Sequence, residues 1–242
     1  MPTFTRGETS IHYEISGSGH PLLLLAPGGM LSSIALWSRC PFHPVRELSD
    51  RYKVIAMDQR NAGESRAPID PADGWATYMG DHLALLDALS VERCHVLGMC
   101  IGSAFSLSLA VHAPERMTAA VLAQPIGISG DNRQVFFQMF DGWAEELTKT
   151  RPEVSRAAFS SFRHNLYDRE FAFSVSREQV EACQAPLLVL RGNDVYHPSA
   201  IAEEIARVAP RGELVESWKE GDAIQRGLSR VRAFLAEHTP RV

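Results

Sequence analysis

Hydrophobic and polar positions divide the chain into two alternating kinds of segment. Short apolar runs, typical of strands buried in a parallel sheet, lie at 22–26, 52–57, 94–97, 121–124 and 187–191. Segments with helical spacing of apolar residues lie at 75–89, 103–112, 200–208 and 223–237. Less apolar strands are predicted at 11–15 and 214–218. The alternation predicts an α/β fold whose mostly parallel sheet is covered by helices on both faces.

The segment 131–181 breaks this alternation. It contains nine aromatic residues, helical patches and no clear strand pattern. We predict a small helical cap inserted over the strand ends, where open α/β sheets bind ligands, with its aromatic side chains lining an apolar pocket. The alternative is a set of ordinary crossover helices whose aromatic residues fill the core. The chain is accordingly divided into a first core part (1–130), the cap (131–181) and a second core part (182–242).

Composition narrows the class of protein. A length of 242 residues fits one large domain, and a net charge of −5 without a basic cluster argues against nucleic acid or membrane as a partner. The four cysteines are widely scattered without metal-ligand spacing, so we expect reduced thiols, no metal and no cofactor. Residues 1–12 have no apolar signal core, which favours a cytoplasmic location. The expected partner is a small-molecule substrate, and a homodimer is left open.

The sequence Gly-Met-Cys-Ile-Gly at 98–102 is the strongest chemical signal. It follows a predicted strand directly and begins a predicted helix, with Cys100 at the centre. Small flanking residues permit the strained backbone that such a sharp turn requires. The cysteine side chain is then exposed at the sheet edge above a helix N-terminus, whose partial positive charge favours a thiolate. A buried structural cysteine at a tight turn is the alternative.

Three other stretches follow predicted strands, and together with the cysteine turn they resemble the α/β-hydrolase family. Residues 27–30, Pro-Gly-Gly-Met, are similar to that family's oxyanion loop, and 58–65 are similar to its D-x-R-G-x-G-x-S stretch. Asp194 ends a strand where the family carries its catalytic acid. Four motifs in this order identify the chain as a member of the α/β-hydrolase fold. The resemblance covers nearly the whole chain.

The resemblance implies a role for each matched position. Cys100 takes the place of the nucleophile, and the backbone N–H of Ile101 is one donor to the oxyanion. The second donor is expected from Gly28, Gly29 or Met30. The remaining oxyanion or substrate-binding position is Met99, next to the nucleophile. The stretch 58–65 is expected to brace the loops beside the site, and an interaction of Arg60 with an acidic substrate group is the less favoured alternative.

The chain departs from the family at the catalytic base. The family's histidine follows the last strand, but residues 219–222 here are Lys-Glu-Gly-Asp. His238 lies about 24 Å further along a helix and cannot replace it. His197, three residues after Asp194, is the candidate for a displaced base, while a capping or surface role is its alternative. His82, on the predicted helix 75–89, is a less favoured second candidate, and we expect structural roles for it and for His95 and His112.

Two functions of different class follow from these residues. The first is a cysteine-nucleophile enzyme, a hydrolase or acyltransferase, acting on a small hydrophobic ester, thioester or lactone. In it, Cys100 attacks and Asp194 with His197 forms the proton relay. The alternative is a degenerate member of the fold that binds a ligand or assists a lyase or cyclisation step without hydrolysis. The missing histidine after the last strand separates the two, because ordinary triad hydrolysis requires it.

Overall fold

A computed structural model describes residues 2–241 of the chain. It contains an eight-stranded sheet whose strands lie in the order β1-β2-β4-β3-β5-β6-β7-β8. The strands are β1 (Thr3–Arg6), β2 (Thr9–Ser16), β3 (His20–Leu25), β4 (Tyr52–Met57), β5 (Cys94–Met99), β6 (Met117–Ala123), β7 (Leu187–Leu190) and β8 (Gly212–Val215). Pairing is antiparallel between β1 and β2 and between β2 and β4, and parallel from β4 to β8. The predicted α/β class with a mostly parallel sheet is confirmed.

Eight α-helices cover the sheet in the described part of the chain. They are α1 (Pro44–Leu48), α2 (Trp75–Ala88), α3 (Ile101–His112), α4 (Arg133–Thr148), α5 (Arg156–Tyr167), α6 (Arg177–Glu181), α7 (Ser199–Val208) and α8 (Ala223–Glu237). Short 3₁₀ helices lie at Gly29–Leu31, Ile34–Arg39 and Pro114–Arg116. Among residues 2–241, none of the helices combines the length and apolar character required to cross a bilayer.

Hydrophobic side chains form one core on each face of the sheet. The larger core joins α2, α3 and α7 with α4 and α5, and the smaller one includes α1 and α8. β3 contributes alternate leucines to the two cores, Leu23 and Leu25 to the larger and Leu22 and Leu24 to the smaller. The two-sided apolar strand pattern arises because both faces of β3 are covered.

The helices α4, α5 and α6 occupy the segment between β6 and β7 for which the sequence predicts a cap. Their aromatic rings do not mainly line a cavity. Phe136, Phe140, Phe162 and Phe173 are essentially fully buried and belong to the larger core. The apolar stripes of these helices pack against each other and onto the sheet layer, which favours the core-filling alternative for most of the rings. α4 also packs on the 3₁₀ helix Gly29–Leu31, so this segment covers the carboxyl ends of the strands.

The ends of several elements differ from the sequence predictions. β8 ends at Val215 rather than at 218, and β6 begins at Met117 rather than at 121. β1 and α1 were not expected from the pattern. β1 is mostly exposed and pairs only at the antiparallel edge of the sheet, so it lacks the apolar run of a buried strand. These differences leave the strand ends that carry the candidate site in the predicted order.

Candidate active site

Cys100 occupies a sharp turn between β5 and α3. Its backbone is left-handed, with φ 59° and ψ −121°, a conformation that is costly for a residue with a side chain. The flanking glycines are required by close approach. A Cβ atom on Gly98 would lie 1.9 Å from the Gly102 carbonyl oxygen, and one on Gly102 would lie 1.9 Å from that of Leu25. The predicted strand–turn–helix geometry around the cysteine is therefore present.

Asp194 and His197 form a hydrogen-bonded pair in the loop after β7. Nδ1 of His197 lies 2.8 Å from each carboxylate oxygen of Asp194. The same carboxylate accepts the backbone N–H groups of Tyr196 and His197, at 3.0 and 3.1 Å. These bonds fix the carboxylate, and the carboxylate fixes the orientation of the ring. His197 is buried, whereas the Asp194 side chain is 45% exposed.

The imidazole of His197 interacts with the thiol of Cys100. Nδ1 is bound to Asp194, so Nε2 is the ring nitrogen left for the sulfur. Nε2 is buried and makes no hydrogen bond of standard geometry with any described residue among 2–241, the Cys100 sulfur included. The imidazole and the thiol are nonetheless close enough for each to shift the pKa of the other. The structure thus brings Cys100, His197 and Asp194 together in a row.

Burial and the local partners act in opposite directions on the pKa of Cys100. Burial raises it, but the nearby imidazole of His197 and the backbone N–H groups of Gly28 and Ile101 outweigh burial, so the pKa lies below that of an ordinary thiol. For His197, burial lowers the pKa, while Cys100 and Asp194 raise it more. The arrangement favours a thiolate beside an imidazolium.

The backbone N–H groups of Gly28 and Ile101 are close enough to the Cys100 sulfur to lower its pKa. Gly28 has φ 113° and directly precedes the 3₁₀ helix Gly29–Leu31. Of the three residues considered for the second donor, Gly28 is the one whose amide affects the pKa of Cys100. The Met30 and Met99 side chains are both buried, and Met99 packs in the smaller core.

The loop after β8, residues 216–222, contains no imidazole. Trp218 is fully buried there, and its indole N–H donates to the Arg191 carbonyl at 2.8 Å. The Lys219 ammonium donates to the side-chain oxygen of Gln124 at 3.2 Å. Gln124 follows β6 directly and has a left-handed φ of 40°, a strained position that the sequence pattern did not indicate. These side chains occupy the strand end where the family resemblance implied a histidine.

The other candidate side chains have partners away from the cysteine. Arg60 is buried and binds Asp81 and Asp73, so its charge is neutralised within the protein rather than by a substrate. His82 is buried against Gln59 at 2.7 Å, and burial lowers its pKa to about 3. His95 contacts two threonines, Thr118 and Thr239, and burial also lowers its pKa to about 3.

Asp58, at the start of the stretch 58–65, accepts the backbone N–H groups of Ile34 and Glu64. It therefore braces the loops on this edge of the sheet, as expected.

One cluster of potential metal ligands lies away from the cysteine turn. Ligand atoms of Glu213, Glu237 and His238 are within 4.8 Å of one another. Both carboxylates are bound by Arg230, which lies on the same helix as Glu237. The guanidinium already supplies the positive charge that these carboxylates attract, and the cluster contributes no residue to the site around Cys100.

Comparisons with known proteins agree with this fold. Residues 21–198 match the family model described as alpha/beta hydrolase fold. A solved structure of a hydrolase from Pseudomonas aeruginosa PA01 superposes with a TM-score of 0.72 at 24% identity, covering 97% of each chain. That identity is low, so the likeness shows the fold alone.

Two named relatives are similar over part of their length. A protein of Azorhizobium caulinodans, assigned by name to the RutD carbamate hydrolases, is 35% identical over 123 residues, 50% of this chain and 43% of its own. A 2-hydroxymuconate semialdehyde hydrolase of Pseudomonas sp. strain CF600 is 30% identical over 114 residues, 47% of this chain and 39% of its own. The chain thus matches less than half the length of these relatives. The family model, by contrast, spans most of the chain, and the chain belongs to the α/β-hydrolase fold family.

Proposed function

We propose that the protein is a hydrolytic enzyme that uses Cys100 as a nucleophile on a small hydrophobic ester, thioester or lactone. One observation carries the proposal: at a strained strand–helix turn, the thiol of Cys100 meets an imidazole that is itself held by a carboxylate. A nucleophile next to a base, and a base next to an orienting acid, are the groups that acyl transfer requires. The two named relatives are both hydrolases by name, which supports the reaction class.

The electrostatics of the four cysteines support the choice of Cys100. Burial raises the pKa of Cys40 and of Cys94 to about 12, and it also raises the pKa of Cys183. Cys100 is the one whose pKa is lowered. Because the thiolate is the reactive form, Cys100 is the thiol that reacts at neutral pH.

The proposed reaction proceeds in two steps. The Cys100 thiolate attacks the carbonyl carbon, and the resulting oxyanion accepts the N–H groups of Gly28 and Ile101. Collapse breaks the bond to the leaving group, which takes the proton from Nε2 of His197. In the second step, Nε2 removes a proton from water, the hydroxide attacks the thioester carbon, and the acid is released as the sulfur leaves. Asp194 holds the ring and stabilises its positive charge throughout.

The non-hydrolytic alternative rests on the lack of a histidine in the loop after the last strand, and residues 219–222 contain none. Hydrolysis is supported instead by His197 of the neighbouring loop, whose imidazole lies beside Cys100 and is held by Asp194. Transfer of the acyl group to an acceptor other than water uses the same first step and remains within the proposal.

Intact-mass analysis after incubation with p-nitrophenyl acetate tests the nucleophile. We expect an acetyl adduct on the wild-type protein and none on Cys100→Ala. The matched control is Cys40→Ala, which removes another half-buried thiol and should keep the adduct. Absence of both adduct and p-nitrophenol release from the wild type, across acetyl to hexanoyl esters and thioesters, would contradict the proposal.

A further inference from the structure

Exposed apolar side chains concentrate on the two loops that flank Cys100. Of the four large hydrophobic residues that are exposed within residues 2–241, three lie there: Leu31 (60% exposed), Val195 (49%) and Tyr196 (37%). The fourth, Ile15, lies on β2 at the antiparallel side of the sheet. Single exposed hydrophobic residues are ordinary, but a group of them beside a reactive residue indicates a surface that binds an apolar group.

Direct contacts connect both loops to the site. The Leu31 N–H donates to the carbonyl oxygen of Gly28 at 3.0 Å, and the Gly28 amide lowers the pKa of Cys100. On the other side, the centroid of the Tyr196 ring lies 6.3 Å from that of the His197 imidazole. The order of the strands puts the cysteine turn between the two loops, because β5 lies between β3 and β7.

Val195 and Tyr196, which together form what we name the apolar rim, are held in a fixed conformation. The Val195 carbonyl accepts a hydrogen bond from the Asn132 amide at 2.9 Å, directly before α4. The Tyr196 N–H donates to the Asp194 carboxylate at 3.0 Å, and the Tyr196 ring contacts Phe136 edge-on at 5.6 Å between centroids. A surface that is fixed before binding loses little conformational entropy when an apolar group binds to it.

The helix α4 lies across the gap between the two loops. It begins beside the apolar rim, where Asn132 bonds to Val195. Further along α4, the Met139 side chain lies against the opposite loop, since a Cβ atom on Gly29 would be 2.3 Å from the Met139 sulfur. Because α4 covers this gap, a long chain attached to a carbonyl at Cys100 has to leave the site along one of the loops.

The roles in the proposed reaction indicate which chain meets the apolar rim. Nε2 of His197 gives its proton to the leaving group, so the leaving atom lies beside the imidazole. The rim consists of the two residues directly before His197, and the Tyr196 ring contacts the imidazole. Residues 193–196 carry one negative charge, that of Asp194, and no cation. The leaving group that fits this surface is therefore uncharged and apolar.

We propose that the apolar rim binds the leaving group of the substrate, and that this group is a long alkyl chain or an aromatic ring. The substrate class is then an ester or thioester of a hydrophobic alcohol or thiol, whose alkyl or aryl part lies on Val195 and Tyr196. This inference rests on the proposed function, because it assigns the side of the leaving group from the role of His197.

Two thioesters that differ only in the leaving group test the inference. S-ethyl and S-octyl thioacetate give the same acetyl adduct and release thiols of similar acidity, so their intrinsic reactivities nearly match. Intact mass follows the rate of adduct formation on each protein, with both thioesters below their solubility limits, and the reaction with free cysteine supplies the reference ratio. We expect wild type to prefer S-octyl by at least about tenfold relative to free cysteine, because part of the longer alkyl chain leaves water.

Substitutions in the apolar rim should reduce this preference. We expect it to fall about three- to tenfold in Tyr196→Ser and about two- to threefold in Val195→Ser, because each removes apolar surface from the rim. Tyr196→Phe keeps the ring and should keep the preference. The matched control is Ile15→Ser, which removes a similarly exposed apolar side chain from β2 and should also keep it. Circular dichroism checks folding, and Val195→Ser decides alone if Tyr196→Ser does not fold.

Several results would overturn the inference while the proposed function stands, since the adduct still forms. These are a wild-type preference no higher than that of free cysteine, an unchanged preference in Val195→Ser, and an equal fall in Ile15→Ser or Tyr196→Phe. Equal slowing of both thioesters in Tyr196→Ser would also overturn it, because the ring then serves to position His197. Failure of wild type to be acetylated by either thioester contradicts the proposed function itself.

Discussion

Two neighbouring loops on the same edge of the sheet carry very different side chains. β7 and β8 pair in parallel, so the loops that follow them, 192–197 and 216–222, lie side by side. The first carries a buried imidazole held by a carboxylate. The second carries the buried Trp218 and the Lys219 ammonium, bound to Gln124. In the family the chain resembles, acid and base come from these two strand ends separately, whereas in the proposed reaction both come from the first.

The comparison shows that a histidine need not follow the last strand for its imidazole to lie beside the Cys100 thiol. Asp194 and His197 are three residues apart, and backbone bonds between them in both directions, at 3.1 and 3.3 Å, close the loop. That turn puts both side chains on the same side, so a single loop can deliver the acid and the imidazole to the sulfur. The loop after β8 instead packs against its neighbour. The Trp218 indole donates a hydrogen bond to the carbonyl of Arg191, directly before the loop that holds Asp194 and His197.

Removal of the His197 imidazole is expected to change the acylation rate of Cys100 more than any substitution in the loop after β8. In His197→Ala, acylation of Cys100 at pH 7 should slow by roughly 10²-fold. The thiolate no longer has a positive charge beside it, and the leaving group no longer has a proton donor. Stopped-flow release of p-nitrophenol measures it. A rate within a factor of two of wild type would show that the loop after β7 does not supply the base.

The pH dependence of thiol alkylation should change in the same variant. The pKa of Cys100 is lowered by His197 against the effect of burial, so wild-type thiolate appears as the pH rises through a value below that of an ordinary thiol. Without the imidazole, burial dominates, and the midpoint of the iodoacetamide rate profile should rise by about one pH unit or more. A midpoint that stays in place would contradict the thiolate–imidazolium interaction.

Neutralising the acid should have a smaller effect. Asp194→Asn keeps an oxygen for the backbone N–H groups but loses the charge that, together with the sulfur, raises the pKa of His197. We expect roughly tenfold slower acylation, with the bell-shaped pH profile losing its upper limb at lower pH than in wild type. The steady-state rate against pH, with folding checked by circular dichroism, measures both. Full activity would mean that backbone packing alone orients the ring.

The smallest change is expected in the loop after β8. Lys219→Met keeps the length of the side chain and removes its charge and its bond to Gln124. Acylation should remain within about twofold of wild type, because the Lys219 ammonium bonds to Gln124 outside the Cys100–His197–Asp194 row, and loss of one such part-buried hydrogen bond has a small effect. A loss as large as that of Asp194→Asn would show that both loops take part in the chemistry.

Much of the fold and the centre of the site could be predicted from the sequence for definite physical reasons. Strands buried on both faces appear as apolar runs, and the turn at Cys100 requires small neighbours that are visible as glycines. Asp194 was predicted from the family resemblance, and His197 because it follows Asp194 by three residues at the rim where the site was expected.

Other features of the site could not be predicted from the sequence, because they depend on the three-dimensional conformation of the backbone. Gly28 and Gly29 are chemically identical, so the sequence could not show that the Gly28 amide is the one that lowers the pKa of Cys100. The strained Gln124, with φ 40°, has no residue-type signal in the sequence, because glutamine is not a residue that favours a left-handed φ.

The closed loop between Asp194 and His197 has a mechanical consequence. Carboxylate and imidazole share one short piece of backbone that is closed by its own hydrogen bonds. Their mutual distance therefore does not depend on how β7 and β8 are placed relative to each other. In the proposed relay, only the distance between the Cys100 sulfur and Nε2 of His197 joins side chains from different loops. A relay whose three side chains follow three different strands has two such distances, nucleophile to base and base to acid.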